Sequence, residues 1–189
     1  MKSTRELSLI AMFTALLIGV QFALSFTYGL ELVSVTLAMF SLVFGSRRGF
    51  VVGVAFSLLR LMIFGFYPTV AVLYLTYYPL YAVAVGQIGK IKGKKQFVVL
   101  LVAVSLMTVC FSLLDDVITP LMMGFNNKAW LTYFYGSFLA MVPQTICVFI
   151  STAVLYYPLK KLLGKLKVRF FPDECETVGE RIVPKGNDN

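Results

Sequence analysis

The chain has 189 residues, 59% of them hydrophobic and only 14% charged, with a net charge of +8 and a mean hydropathy of +0.84. A soluble domain carries about 25% charged residues, so this composition excludes an ordinary soluble globule and indicates an integral membrane protein with repeated long apolar runs. There is no His, and Cys110, Cys147 and Cys175 stand far apart, which argues against a histidine-based metal or acid–base centre and against a disulfide scaffold.

A bilayer core of ~30 Å is crossed by ~20 helical residues. Six crossings are predicted, at 7–28, 31–45, 49–67, 69–89, 96–118 and 131–159. The fold class expected is therefore all-α, a six-helix transmembrane domain over 1–170. The runs are continuous and lack the period of two that a membrane β-barrel needs.

The first segment is longer than a signal-peptide core and no cleavage site with a polar mature chain follows, so it reads as a true helix. It holds Ala11, Ala15, Gly19 and Ala23, a small residue at every fourth position. Residues four apart stack on one helix face, so these four form a groove into which a second backbone can fit. Spacing alone allows either packing within the chain or docking of another protein.

The second crossing is short, and Glu31 marks its outer edge. The third contains Arg60, ~17 Å from Gly49 at 1.5 Å per residue, near mid-membrane. A charge there costs at least ~2.5 kcal/mol and is normally turned inward and paired. Glu31, Asp115 and Asp116 are the candidate partners. The alternative is a ligand contact, because Arg suits a carboxylate or a carbonyl-rich heterocycle. The fourth crossing places Tyr74, Tyr77 and Tyr78 beside Pro79, flat walls of the kind a small heterocycle uses.

The fifth ends in Asp115-Asp116, which point ~100° apart on a helix, so at most one faces a central cavity. The run "TPLMMGFNNKAW" is expected to be the longest outer loop and to be functional, with Asn126 and Trp130 in it. The sixth crossing contributes Tyr133. It also contributes Gln144 after Pro143, where the proline frees a backbone carbonyl. Residues 171–189 are polar and read as a mobile cytoplasmic tail.

Fifteen of the 17 Lys and Arg fall at the N-terminus, in the second–third and fourth–fifth loops, and after the last crossing. With six crossings these all lie on one side, which the positive-inside rule makes cytoplasmic, with both termini there. Topology thus accounts for the net charge, and a nucleic-acid partner is not expected.

The chain has no Walker A motif, no G-x-S-x-G and no H-E-x-x-H. It is not expected to be an enzyme, to bind a metal or to carry a cofactor. Any ATP would be used by partner subunits.

Size, six-helix layout with both ends inside, the A-x-x-x-A motif at Ala11–Ala15, and the segments "FGSRRGFVVGVAFSLLR" and "DVITPLMMGF…WLTYFYGSFLAMVP" together resemble the substrate-binding S components of energy-coupling factor (ECF) transporters. The resemblance covers about residues 5–170. It implies a multi-pass protein of a bacterial or archaeal cell membrane. Such a protein binds a vitamin or related micronutrient near its outer face and docks through its first helix onto a transmembrane scaffold that carries two ATPases. Ala11, Ala15 and Gly19 would be docking positions. Glu31, Arg60, Tyr74, Tyr77, Tyr78, Asp115, Asp116, Asn126, Trp130, Tyr133 and Gln144 are the candidate substrate-binding residues. A single Trp argues against a Trp-rich thiamine-type pocket, and the missing N-terminal His argues against the cobalt- and nickel-specific relatives. A stand-alone carrier, coupled to an ion through Arg60 and Asp115 or Asp116, is the alternative.

Overall fold

A computed structural model describes residues 4–24, 32–91 and 93–172. Glu31 and all but the first two residues of the expected tail lie outside them. The described residues form six helices and no strand: α1 (Thr4–Leu24), α2 (Val33–Phe44), α3 (Ser46–Phe64), α4 (Pro68–Ile88), α5 (Lys94–Met123) and α6 (Asn127–Phe170).

Helix ends follow local chemistry. Gly45 separates α2 from α3 with φ +88°, a conformation that L side chains rarely adopt. Pro68 opens α4, where its missing N–H costs nothing. The expected long outer loop does not form. α5 runs through Pro120 to Met123, and Gly124 ends it in the left-handed conformation. Asn126 then caps α6, its side-chain oxygen accepting the Ala129 N–H at 2.9 Å. The connection shrinks to three residues because the polar signals in it are helix-ending and helix-starting signals.

α2 is the central element. Ten of its residues, from Val33 to Phe44, are buried, and it packs against all five other helices. At 12 residues it is ~18 Å long, short of a bilayer core. α1, α4, α5 and α6 are long and apolar enough to cross a membrane. α3 has 19 residues and carries Arg47, Arg48 and Arg60. The outward surface is apolar, with Met62 82%, Leu139 76% and Leu121 68% exposed. Such large exposed apolar area needs a cover, and lipid supplies it. The chain is a multi-pass membrane protein.

Internal close packing uses glycines on α3 and α4. A Cβ on Gly53 would meet the Tyr78 carbonyl oxygen at 2.9 Å, and one on Gly86 would meet Ser46 Cα at 2.6 Å. These two positions let the α3–α4 hairpin close. Ser57 fastens it, donating to the Tyr74 carbonyl at 2.9 Å.

One end of the bundle gathers the basic residues. Arg48 pairs with Glu6 of α1 at 2.7 Å. Its guanidinium lies 4.0 Å from the ring centre of Phe171. Lys160 and Tyr156 of α6 both donate to Gln96 Oε1 of α5, at 2.6 and 3.1 Å. The start of α1, the α2–α3 and α4–α5 junctions and the last turns of α6 therefore share this end. Phe171 packs there on Phe44, at 6.4 Å between ring centres, so the folded domain reaches it.

Candidate functional site

The opposite end is built by the α5–α6 hairpin. The inward stripe of α5 repeats every fourth residue: Leu100, Val104, Thr108, Ser112, Asp116 and Pro120 are all buried. It changes from apolar to polar toward the far end. α6 answers with Val148, Thr152 and Tyr156 at depth, and with Ser137, Tyr133 and Trp130 at the end.

Six side chains meet there. Asp115 accepts from the Thr119 hydroxyl at 2.7 Å and from the Tyr133 hydroxyl at 2.8 Å. Asp116 is 3% exposed, and its side chain takes a hydrogen bond from Ser137. Its Oδ1 has no partner among the described residues. The Trp130 indole donates to the Asp116 backbone carbonyl at 3.1 Å. Pro120, four residues on, has no N–H for that carbonyl; Trp130 supplies the missing donor.

A second group lies between α3, α4 and α5. Tyr74, Tyr77 and Tyr78 pack with Phe111 of α5, which stands one turn before Asp115, and Phe56 packs on Tyr74 and Tyr78. Tyr77 is buried and donates its hydroxyl to the Met107 carbonyl at 2.9 Å. Tyr78 is buried, edge-on to Phe56. Tyr74 is half-buried, and the Arg60 guanidinium lies 3.9 Å from its ring centre. Phe64 flanks the same guanidinium at 5.6 Å. Among the described residues no carboxylate lies within ion-pair distance of Arg60, and its Nε has no hydrogen-bond partner. Pairing with Asp115 or Asp116 is therefore not what holds it. Aromatic faces do, through the attraction of a cation to a ring quadrupole.

The structure thus brings Asp115, Asp116, Trp130 and Tyr133 together, and separately brings Arg60 to Tyr74. Tyr77 and Tyr78 lie in the core. Asn126 is a helix cap. Gln144 is half-buried and already engaged, seven residues and ~10 Å deeper along α6 than Ser137. Glu31 is outside the described residues. Thr119, Ser137 and Phe111 escaped sequence reasoning. A four-residue step from Asp115 finds Thr119, and the same step from Tyr133 finds Ser137.

Chemically, the α5–α6 end is rich in acceptors and α3 offers a cation. Phe111, one turn before Asp115, packs on Tyr74, whose ring carries the Arg60 guanidinium. A shallow notch of about 290 Å³, lined by Asn127, Trp130, Leu131 and Phe134, opens at this end. Among the described residues no group of three or more His, Cys, Asp or Glu could hold a metal.

The small residues of α1 face outward. Leu9, Ile10, Phe13, Thr14 and Leu17 are its buried face. Ala11, Ala15, Gly19 and Ala23 are exposed, and a Cβ on Gly19 would meet nothing within 4 Å. Among the described residues the chain does not fill this groove itself.

No protein-family model, no curated protein and no solved structure matches the chain.

Proposed function

We propose that the chain is the membrane-embedded binding subunit of an ECF-type uptake system, an S component that captures a vitamin-like small molecule. The observation that carries this reading is the outward small-residue face of α1. Close internal approach in this fold uses Gly53 and Gly86, whereas Ala11, Ala15 and Gly19 are left open. A groove of small residues in lipid gains nothing from hydrocarbon that another helix would not exceed. A transmembrane scaffold subunit is the occupant proposed, bringing two ATPases that hydrolyse the ATP.

In this reading the helices cross six times, the basic end is cytoplasmic, and the membrane is a bacterial or archaeal cell membrane. The ligand binds at the other end, between the Asp115–Tyr133 and Asp116–Trp130 contacts and Arg60. The chain itself performs no chemical step. Native mass spectrometry of the gently purified protein tests the reading. It predicts a retained organic molecule of a few hundred daltons, and co-purification of scaffold and ATPases from the native host. Protein free of both would contradict it.

The second reading is a stand-alone ion-coupled carrier. Buried Asp116, with one oxygen unpartnered, favours it, since such a carboxyl suits a coupling proton. Uptake by the reconstituted chain alone, driven by a proton gradient without ATP, would establish that reading instead.

A further inference from the structure

A groove of about 1050 Å³ lies at the basic end. Its walls include Glu6 and Ile10 of α1, Arg47, Arg48, Phe50 and Val51 of α3, and Lys90 just beyond α4. Of the three cations, Arg48 is neutralised by Glu6 at 2.7 Å. Arg47 is exposed and forms no ion pair or hydrogen bond among the described residues. Lys90 donates to the neutral Gln87 carboxamide, at 3.4 Å. Two positive charges in the groove are left uncompensated.

The walls change character within one turn. Arg47 is followed three and four residues on by Phe50 and Val51, on the same side of α3. Phe50 is 44% exposed and Val51 half-buried. On α1, Glu6 is followed four residues on by Ile10. Both steps run from the charged end toward the apolar middle of the bundle. A free phosphate would use the cations and leave Phe50 and Val51 uncovered. An anionic phospholipid satisfies both, because its phosphate and its first methylenes are joined in that order.

We propose that this groove is a binding site for an anionic phospholipid, the phosphate held by Arg47 and Lys90 and the start of an acyl chain lying on Phe50 and Val51. A basic pocket between membrane helices is suited to such headgroups. The site rests on the multi-pass membrane reading, and on neither the identity of the outer ligand nor the docking face of α1.

The test is native mass spectrometry of the full-length protein titrated with dioleoyl-phosphatidylglycerol or dioleoyl-phosphatidylcholine. Each basic residue near an anionic lipid contributes roughly fivefold to binding. Arg47→Gln with Lys90→Gln is expected to lower phosphatidylglycerol retention by roughly 25-fold, toward the phosphatidylcholine level. Lys161→Gln with Lys165→Gln, exposed on α6 outside the groove, is expected to leave it unchanged. Phe50→Ala keeps the charges and is expected to lower retention severalfold. Should the double variant fail to fold, Arg47→Gln alone gives a loss of roughly fivefold. Full retention by the groove variants, an equal loss in the α6 pair, or equal retention of phosphatidylcholine would overturn the site. Displacement by equimolar inorganic phosphate, or indifference to Phe50→Ala, would overturn the lipid and leave a free-anion site.

Discussion

The Trp130 indole nitrogen lies 3.1 Å from the backbone carbonyl oxygen of Asp116, the one carbonyl that Pro120 leaves without a helical donor. A proline inside an apolar helix strands an acceptor, and a buried unmet acceptor costs ~1–3 kcal/mol. Here one side chain from the facing helix meets it, which also fixes the register of α5 against α6. Trp130→Phe keeps a ring and removes the donor. It is expected to destabilise the protein by ~1–3 kcal/mol, read as a lower unfolding midpoint in detergent. In a Pro120→Ala background, where the helix supplies its own N–H, the same change is expected to cost much less. A double-mutant cycle measures that difference, and additive costs would refute the pairing.

Asp115 holds the hairpin from its side chain. It accepts two hydroxyl donors, at 2.7 and 2.8 Å, and hydrogen bonds to a charged group contribute ~1.5–3 kcal/mol. Tyr133→Phe removes one of them and is expected to lower stability by about that amount. Asp115→Ala strands both hydroxyls and is expected to cost more. Thermal unfolding of the two variants in the same detergent checks the order.

Arg60 rests on Tyr74 at 3.9 Å from the ring centre. Tyr74→Phe preserves the ring face and is expected to lose less stability than Tyr74→Leu, which gives up the cation–ring contact and is expected to lose ~1–2 kcal/mol. Arg60→Met removes a half-buried charge that has no carboxylate partner among the described residues. It is expected to leave the fold intact and to reduce retention of the proposed outer ligand, measured by native mass spectrometry.

Glycines separate internal from external faces. Gly53→Ala would place a methyl 2.9 Å from the Tyr78 carbonyl oxygen and is expected to destabilise by ~1–3 kcal/mol through overpacking. Gly19→Ala meets nothing within 4 Å and is expected to be neutral, or stabilising by ~0.5–1 kcal/mol through helix propensity. Equal effects at the two positions would contradict the assignment of faces.

Hydropathy and length were enough to read the six helices, because each apolar run ends at a glycine, a proline or a charge. The misread stretch was "TPLMMGFNNKAW". Pro, Gly and Asn there suggest a loop, but Pro120 sits within a helix whose stranded carbonyl has Trp130 as its donor, and Gly124 and Asn126 are caps. That compensation depends on a residue in the next helix, beyond any local window. Asp115, Asp116, Trp130 and Tyr133 were recognisable as polar or amphipathic residues at one end. Their pairing was not, because it depends on the α5–α6 register. Arg60 was recognisable as a costly charge, yet a carboxylate was the expected neighbour. A tyrosine ring one helix away satisfies it instead, an arrangement that charge counting does not weigh. The stripe on α1 was plain in the sequence, but spacing cannot say which way a groove faces. The burial of Leu9, Phe13 and Leu17 on the other side of the helix does.

The proposed docking face is the exposed side of α1, with another protein's helix as its occupant. Ala11→Leu with Ala15→Leu fills that groove without touching the α5–α6 end. In the native host, the tagged variant should retain its small-molecule ligand at the parental level by native mass spectrometry, yet co-purify no scaffold or ATPase and support no uptake. A variant that assembles and transports normally, or one that loses ligand while keeping its partners, would contradict docking at this face.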